Sequence, residues 1–333
     1  MTNNVLPKSL HPKYDVFMEC DKSIEDARII LFGAPFDSTT SYRPGARFGS
    51  AAIRRESYGI ESYSSYQDKD LIDCPVLDCG DLELPIGDTE KVLAQIEVYT
   101  DEILQADKIP FLLGGEHLVT LGAFRAVHRK YPEVVIVHLD AHGDLRDDYL
   151  GVKLSHACVV RRCWEVMYDG VKRDKVMCDD ASLDKVVGDE VAYDKVLYDE
   201  EVRSDSSVSA NDHRIFQFGI RSGAREEFTW GKSHVNTQFY NLDGLAELGN
   251  QLQGKPVYLT VDLDVLDPSV FPGTGTPEPG GISFEELRKG LTLICQKLAV
   301  VGCDVNELCP PYDSSGISTA AACKVVREML LAL

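Results

Sequence analysis

Short, almost wholly apolar runs alternate along this chain with longer stretches in which apolar positions recur every three or four residues. The runs "RIILFG" from Arg28, "CPVLDCG" from Cys74, "IPFLLGG" from Ile109, "VVIVHLD" from Val134, "RIFQFGI" from Arg214, "PVYLTVD" from Pro256 and "AVVGCDVNE" from Ala299 read as strands. Between them, Thr89 to Ala106, His117 to Lys130, Leu242 to Gln253, Phe284 to Lys297 and Gly316 to Leu331 read as amphipathic helices. Strands without polar alternation are buried on both faces. Their separation by helices therefore predicts an α/β fold with a mostly parallel central sheet covered on both sides.

One segment departs from this pattern. After "WEVMYDG" come three ten-residue units, "RDKVMCDDAS", "LDKVVGDEVA" and "YDKVLYDEEV", with Asp-Lys-Val recurring at 174, 184 and 194. A period of ten fits neither a heptad nor a solenoid repeat. Residues 170–207 hold eleven Asp/Glu against six Lys/Arg, which reads as an acidic surface insertion and not as a second domain. The lysine beside each Asp and the absence of a glycine-turned loop argue against Ca²⁺ binding there.

A chain of 333 residues can bury one large α/β core or two smaller ones. The first residues lack a basic stretch followed by an apolar one, and no apolar run approaches the roughly 20 residues that cross a bilayer. The ten scattered cysteines, without a CxxC pair, point to reduced thiols and a cytoplasmic setting. The net charge of −20 disfavours nucleic acid and anionic membranes and favours a small cationic partner.

Ligands of parallel sheets bind beyond the carboxyl ends of the strands, so the polar residues there carry the chemistry. Asp140, His142 and Asp144 follow one strand at i, i+2, i+4 spacing, which in extended chain puts all three on one face. A second strand ends in Asp262 and Asp264, and a third runs through two glycines into Glu116 and His117. Any one of these pairs is weak evidence. Together, three strand ends read as neighbours deliver two histidines and four aspartates to one crevice. Four clustered carboxylates cannot all stay ionised unaided. Two divalent cations would balance them, and the oxygen-rich, thiolate-free set suits Mn²⁺, with Mg²⁺, Zn²⁺ and Fe²⁺ as lesser fits. Such a pair can share a water and convert it to hydroxide at neutral pH. His138, two residues before Asp140, has the site as its alternative but is expected to pack within the sheet, and Asp267, ahead of Pro268, is expected to start a turn.

The motifs "GGEH", "DAHGD", "SHA", "DLDVLDP" with "GTGTPEPGG", and "DVNELCPPYD" resemble the ureohydrolase family of arginases and agmatinases. The likeness begins at "GAPFD" and "RPGARFGSAAIR" and covers nearly the whole chain. Residues 1–333 are therefore expected to form a single domain carrying the acidic insertion at about 170–209. "DAHGDLRDDYLGVKLSHA" is more similar to the agmatinase branch. The resemblance implies a three-layer α/β/α fold and a dimanganese site held by His117, Asp140, His142, Asp144, Asp262 and Asp264. It also implies a proton-moving His156, a Glu307 that holds the guanidinium, and a homotrimer or homohexamer that releases urea. Glu116 stands where Asp is commoner and Gly143 where Thr is frequent; neither is among the six expected ligands.

On that basis a metal-bridging hydroxide attacks the guanidinium carbon, Asp144 orients it, Glu307 fixes the guanidinium plane and His156 supplies a proton to the leaving amine. Asp147 and Asp148, in the loop after "DAHGD", are expected to repel a carboxylate tail and attract an amine, although Arg146 and Lys153 oppose them. The expected reaction is conversion of agmatine to putrescine and urea. 4-Guanidinobutyrate, arginine and formiminoglutamate are the alternative substrates. A one-zinc deacetylase would not need the second set of ligands, and a phosphoesterase would want a basic cluster. A non-catalytic regulator would have lost ligands, and all six residues stand.

Overall fold

The structure is a computed structural model that describes residues 16–168 and 213–333. The acidic repeat insertion lies outside the described residues. Among the described residues there are ten strands: β1 Ile29–Gly33, β2 Tyr63–Ser64, β3 Lys69–Asp70, β4 Val76–Asp81, β5 Ile109–Leu113, β6 Val135–Leu139, β7 Ile215–Ile220, β8 Asn236–Phe239, β9 Pro256–Asp262 and β10 Ala299–Asn306. The helices are α1 Gly49–Ser57, α2 Thr89–Gln105, α3 Val119–Lys130, α4 Val159–Tyr168, α5 Arg225–Gly231, α6 Leu245–Gln251, α7 Phe284–Lys297 and α8 Ile317–Ala332. Strands β2 and β3 make a small antiparallel hairpin. The other eight form one sheet in the order β4-β1-β5-β10-β9-β6-β7-β8, with every pairing parallel.

The apolar strands are buried on both faces, as their composition requires. In β1, Ile29 and Leu31 enter one core, shared with residues of α1, α6, α7 and α8, whereas Ile30 and Phe32 enter another, shared with α2, α3 and α4. Successive side chains of a strand point to opposite faces, so two cores mean two helical layers with the sheet between them. This is the expected three-layer α/β/α arrangement.

Local chemistry sets the helix boundaries. Helix α7 starts where the pattern predicts because Ser283 Oγ accepts from the Glu286 N–H while Glu286 Oε2 accepts from the Ser283 N–H, a reciprocal cap. Leu287, Leu291 and Ile294 then line its buried stripe. Helix α6 is shorter than its pattern because Gly244 is left-handed at φ 84° and breaks any helix begun at Leu242. Helix α3 begins two residues later than expected, at Val119. The hairpin and α1, α4, α5 and β8 were not predicted as elements. No helix among the described residues is long and apolar enough to cross a membrane.

The register brings the relevant strand ends level. Leu113 of β5 lies beside Val305 of β10, Asn306 of β10 beside Asp262 of β9, and Val261 of β9 beside Leu139 of β6. The three ends expected to be neighbours are therefore not all adjacent: β10 lies between β5 and β9, and its next residue is Glu307.

Candidate metal centre and substrate pocket

The β5 end needs its two glycines for close approach. A Cβ on Gly114 would lie 1.8 Å from Asn306 Oδ1, and one on Gly115 would lie 1.9 Å from the Phe36 carbonyl oxygen. The chain can therefore pass tightly over β10 and present His117, whose N–H donates to Glu307 Oε1 at 2.7 Å. Helix α3 starts at Val119 because the turn before it closes through tighter bonds, from the Val119 N–H to the Glu116 carbonyl and from the Thr120 N–H to the His117 carbonyl.

The β6 end differs from the expectation of an extended run. The strand stops at Leu139, the Gly143 N–H donates to the Ser222 carbonyl, and Asp144 adopts φ 52°. A left-handed non-glycine residue is costly and recurs at functional sites; Glu307, at φ 65°, is a second case. The side chains of Asp140, His142 and Asp144 converge through a loop held against β7, not through strand alternation.

All six expected residues meet. His117 Nδ1 lies 3.0 Å from Asp140 Oδ2, 3.1 Å from Asp144 Oδ2 and 3.5 Å from Asp262 Oδ2. His142 Nδ1 lies 3.0 Å from Asp264 Oδ2 and 3.6 Å from Asp140 Oδ1. Asp140 thus turns one oxygen to each cluster. His117, His138, Asp140 and Asp144, and separately Asp140, His142 and Asp264, each offer ligand atoms within 4.8 Å of one another. His117 Nδ1 is buried without a hydrogen-bond partner although three carboxylates face it. A nitrogen lone pair and carboxylate oxygens aimed at a common point, without thiolates, fit divalent cations of the Mn²⁺, Mg²⁺, Fe²⁺ and Zn²⁺ kind.

The electrostatics agree. Burial, then Asp264 and Asp140, push the Asp262 carboxyl far above its ordinary range. Burial works against a charged His117, but Asp140, Asp144 and Asp262 outweigh it and raise the imidazole's proton affinity well above normal. Such a cluster must hold protons or cations, because like charges this close cannot all persist.

Two chains of contacts support the cluster from behind. His117 Nε2 lies 2.8 Å from Thr260 Oγ1, which donates to Asp304 Oδ1 at 2.6 Å. His138 is fully buried in β6, as expected, but it also engages the site: its Nε2 lies 2.8 Å from Asp140 Oδ2 and its Nδ1 3.0 Å from Gln217 Nε2. Imidazoles at metal sites are oriented by such outer partners.

A cavity of about 250 Å³ opens over the cluster, lined by His117, His142, Asp144 and Asp262 together with Glu307, His156, Arg146, Tyr149 and Glu227. The His156 N–H donates to Thr39 Oγ1 at 3.0 Å, and Thr39 in turn donates to Glu116 Oε1 at 2.5 Å. Glu116 therefore supports the loop beside His156, in keeping with its place outside the expected ligand set. Burial lowers the His156 pKa below the usual histidine value, against the pull of Asp144.

The acidic-loop expectation is overturned. Asp147 pairs with Arg162 at 3.0 Å and Arg161 at 3.5 Å, while Asp148 accepts the Gly151 N–H. Neither lines the cavity. The charged groups on that wall are Arg146 and Glu227, paired at 3.1 Å, with the Arg146 guanidinium 4.7 Å from the centre of the Tyr149 ring. Burial raises the Glu227 carboxyl to about 7, against the Ala224 N–H and Arg146. Glu227 escaped the sequence reading because "REEF" looks like the solvated face of a helix.

Residues 27–332 match the family model described as Arginase family. The chain is 41% identical over 320 residues to an agmatinase of Bacillus cereus, covering 95% of each chain. It is 36% identical over 290 residues to an N(1)-aminopropylagmatine ureohydrolase of Thermococcus kodakarensis, covering 85% of this chain and 83% of the relative. Among solved structures, a putative agmatinase from Clostridium difficile superposes with a TM-score of 0.78 at 43% identity, covering 93% of this chain and 98% of the other.

Proposed function

The chain belongs to the arginase family, a family of hydrolases that act on guanidino C–N bonds, and on that premise we propose that it converts agmatine to putrescine and urea with two Mn²⁺ ions. The observation that carries this reading is the convergence of His117 Nδ1 on Asp140, Asp144 and Asp262, with Asp140 also turned toward His142 and Asp264. The identity of about 41% to the Bacillus cereus agmatinase supports agmatine as substrate. 4-Guanidinobutyrate and arginine carry a carboxylate that, with the guanidinium on Glu307, would face Glu227 on the cavity wall.

His117, Asp140, Asp144 and Asp262 would hold one ion, and His142, Asp264 and Asp140 the other. When bound, such a pair supplies the nucleophile by lowering the pKa of a shared water into the neutral range. The protein's own groups do the rest. Glu307 is buried and anchored by the His117 N–H, so its carboxylate can pair with the guanidinium and fix its plane with little entropy left to lose. Asp144 accepts a hydrogen bond at the reacting oxygen and orients it. His156, its pKa lowered by burial, takes the proton given up by the attacking oxygen and passes it to the departing amine.

The test is urea release by the Mn²⁺-reconstituted protein on agmatine, arginine and 4-guanidinobutyrate in parallel. Agmatine is expected to give the highest kcat/KM. Faster turnover of either carboxylate substrate would refute the assignment of agmatine.

A further inference from the structure

Two carboxylates line the cavity besides the expected metal ligands: Glu307 and Glu227. Under the proposed function Glu307 belongs to the guanidinium, which leaves Glu227 without a role. Its surroundings are those of a fixed receptor. Glu227 is 4% exposed, and its Oε2 accepts the Ala224 N–H at 2.7 Å. A Cβ on Gly223 would come within 2.6 Å of that same oxygen, so the glycine lets the backbone close around the carboxylate. The other oxygen, Oε1, faces Arg146 Nε at 3.1 Å.

Arg146 differs in kind from Glu227. Its side chain is 34% exposed and lies along the Tyr149 ring. A half-exposed arginine held by one nitrogen is a weak, screened partner for a rigid carboxylate. An ammonium has three donors and no fixed plane, so it can join this carboxylate where a second planar guanidinium could not. A carboxylate tail, by contrast, would bring a like charge up to Glu227 and compete with it for Arg146.

We propose that Glu227 is the specificity-determining residue that receives the ammonium end of the substrate, with Arg146 as its resting counter-ion. The site then selects a dication, its guanidinium on Glu307 and its amine on Glu227. This inference rests on agmatine being the substrate, and its test separates the two claims.

The experiment is steady-state kinetics of the Mn²⁺-loaded enzyme on agmatine, butylguanidine and 4-guanidinobutyrate, for the wild type, Glu227→Gln and Arg146→Met. For Glu227→Gln, the kcat/KM ratio of agmatine to butylguanidine should fall about 10- to 100-fold through the KM of agmatine, as for loss of a charge-assisted contact. The ratio of 4-guanidinobutyrate to butylguanidine should rise, because Arg146 is freed. Arg146→Met should widen the preference for agmatine over 4-guanidinobutyrate, and it carries the test if Glu227→Gln does not fold. A wild-type preference for agmatine that survives both substitutions within twofold overturns the role of Glu227 alone. An equal loss on all three substrates assigns Glu227 to structure and likewise overturns the inference. A wild type that prefers butylguanidine or 4-guanidinobutyrate refutes the functional reading, and the inference falls with it.

Discussion

Nε2 of His117 lies 2.8 Å from Oγ1 of Thr260, and this contact decides which ring nitrogen faces the carboxylates. The Thr260 hydroxyl proton is already given to Asp304, so Thr260 can only accept from His117. Nε2 then carries the proton, and Nδ1 is left with its lone pair toward Asp140, Asp144 and Asp262. Thr260→Val removes the acceptor while keeping the volume. The expected result is Mn²⁺ affinity weaker by about 10- to 100-fold at one of two sites, with Thr260→Ser restoring most of it. Metal titration of the chelator-treated protein reads both. Equal affinities in all three proteins would show that His117 orients itself without Thr260.

Glu307→Gln keeps the shape and the left-handed backbone but removes a charge from the guanidinium contact. A charge-assisted hydrogen bond contributes about 1.5–3 kcal/mol, so kcat/KM for agmatine should fall roughly 10- to 150-fold. Two metal ions should still bind. Loss of metal together with activity would make Glu307 a support of the cluster and not a substrate contact.

Much of this site was legible because its residues follow apolar strands at short, fixed spacing. Asp140, His142, Asp262 and Asp264 had to lie at the carboxyl edge once β6 and β9 were read as parallel strands. The remainder depends on information no local window contains. That β10 separates β5 from β9 is a property of sheet order, so Glu307 reached the site only through family likeness. The burial of Glu227 arises from α5 folding over Gly223, and "REEF" carries no sign of it. The loop argument from Asp147 and Asp148 failed because their arginine partners lie a helix away, at Arg161 and Arg162 of α4. Strand β8 was missed for a different reason. "NTQF" is a partly exposed edge strand, without the apolar run that marked the others.

Stability should also depend on a buried ion network that joins α1 to β4. Arg54 of α1 is 2% exposed, with Nε 2.8 Å from Asp78 Oδ2 and Nη2 3.0 Å from Asp78 Oδ1, while Nη1 pairs with Asp81. Removing one member of a buried ion network leaves the others uncompensated and costs about 3–5 kcal/mol. Arg54→Ala is therefore expected to lower the urea midpoint sharply. A midpoint within the error of the wild type would mean that water reaches Asp78.

Asp267 provides a pH-dependent test. Its carboxylate accepts from Ser269 Oγ and from the backbone N–H groups of Ser269, Gly280 and Gly281, which lowers its pKa to about 2. A depressed folded-state pKa gives stability that is fully present above the unfolded value, near 3.9. It is lost as pH falls through the folded value. The denaturation midpoint of Asp267→Asn should thus lie below the wild type at pH 5, and the gap should close as pH falls toward 2. A gap independent of pH would show that geometry, not charge, holds the turn that Asp267 begins.

The central claim is that Asp140 stands between two cation positions and that the reaction needs both. The most direct measurement is the number of Mn²⁺ ions bound per chain, taken alongside urea release from agmatine, in the wild type and in Asp140→Asn. The account predicts two ions and turnover in the wild type, loss of both on chelation, and fewer than two ions with turnover abolished in Asp140→Asn. Full turnover by metal-free protein, or two tightly held ions and undiminished turnover in Asp140→Asn, would contradict it.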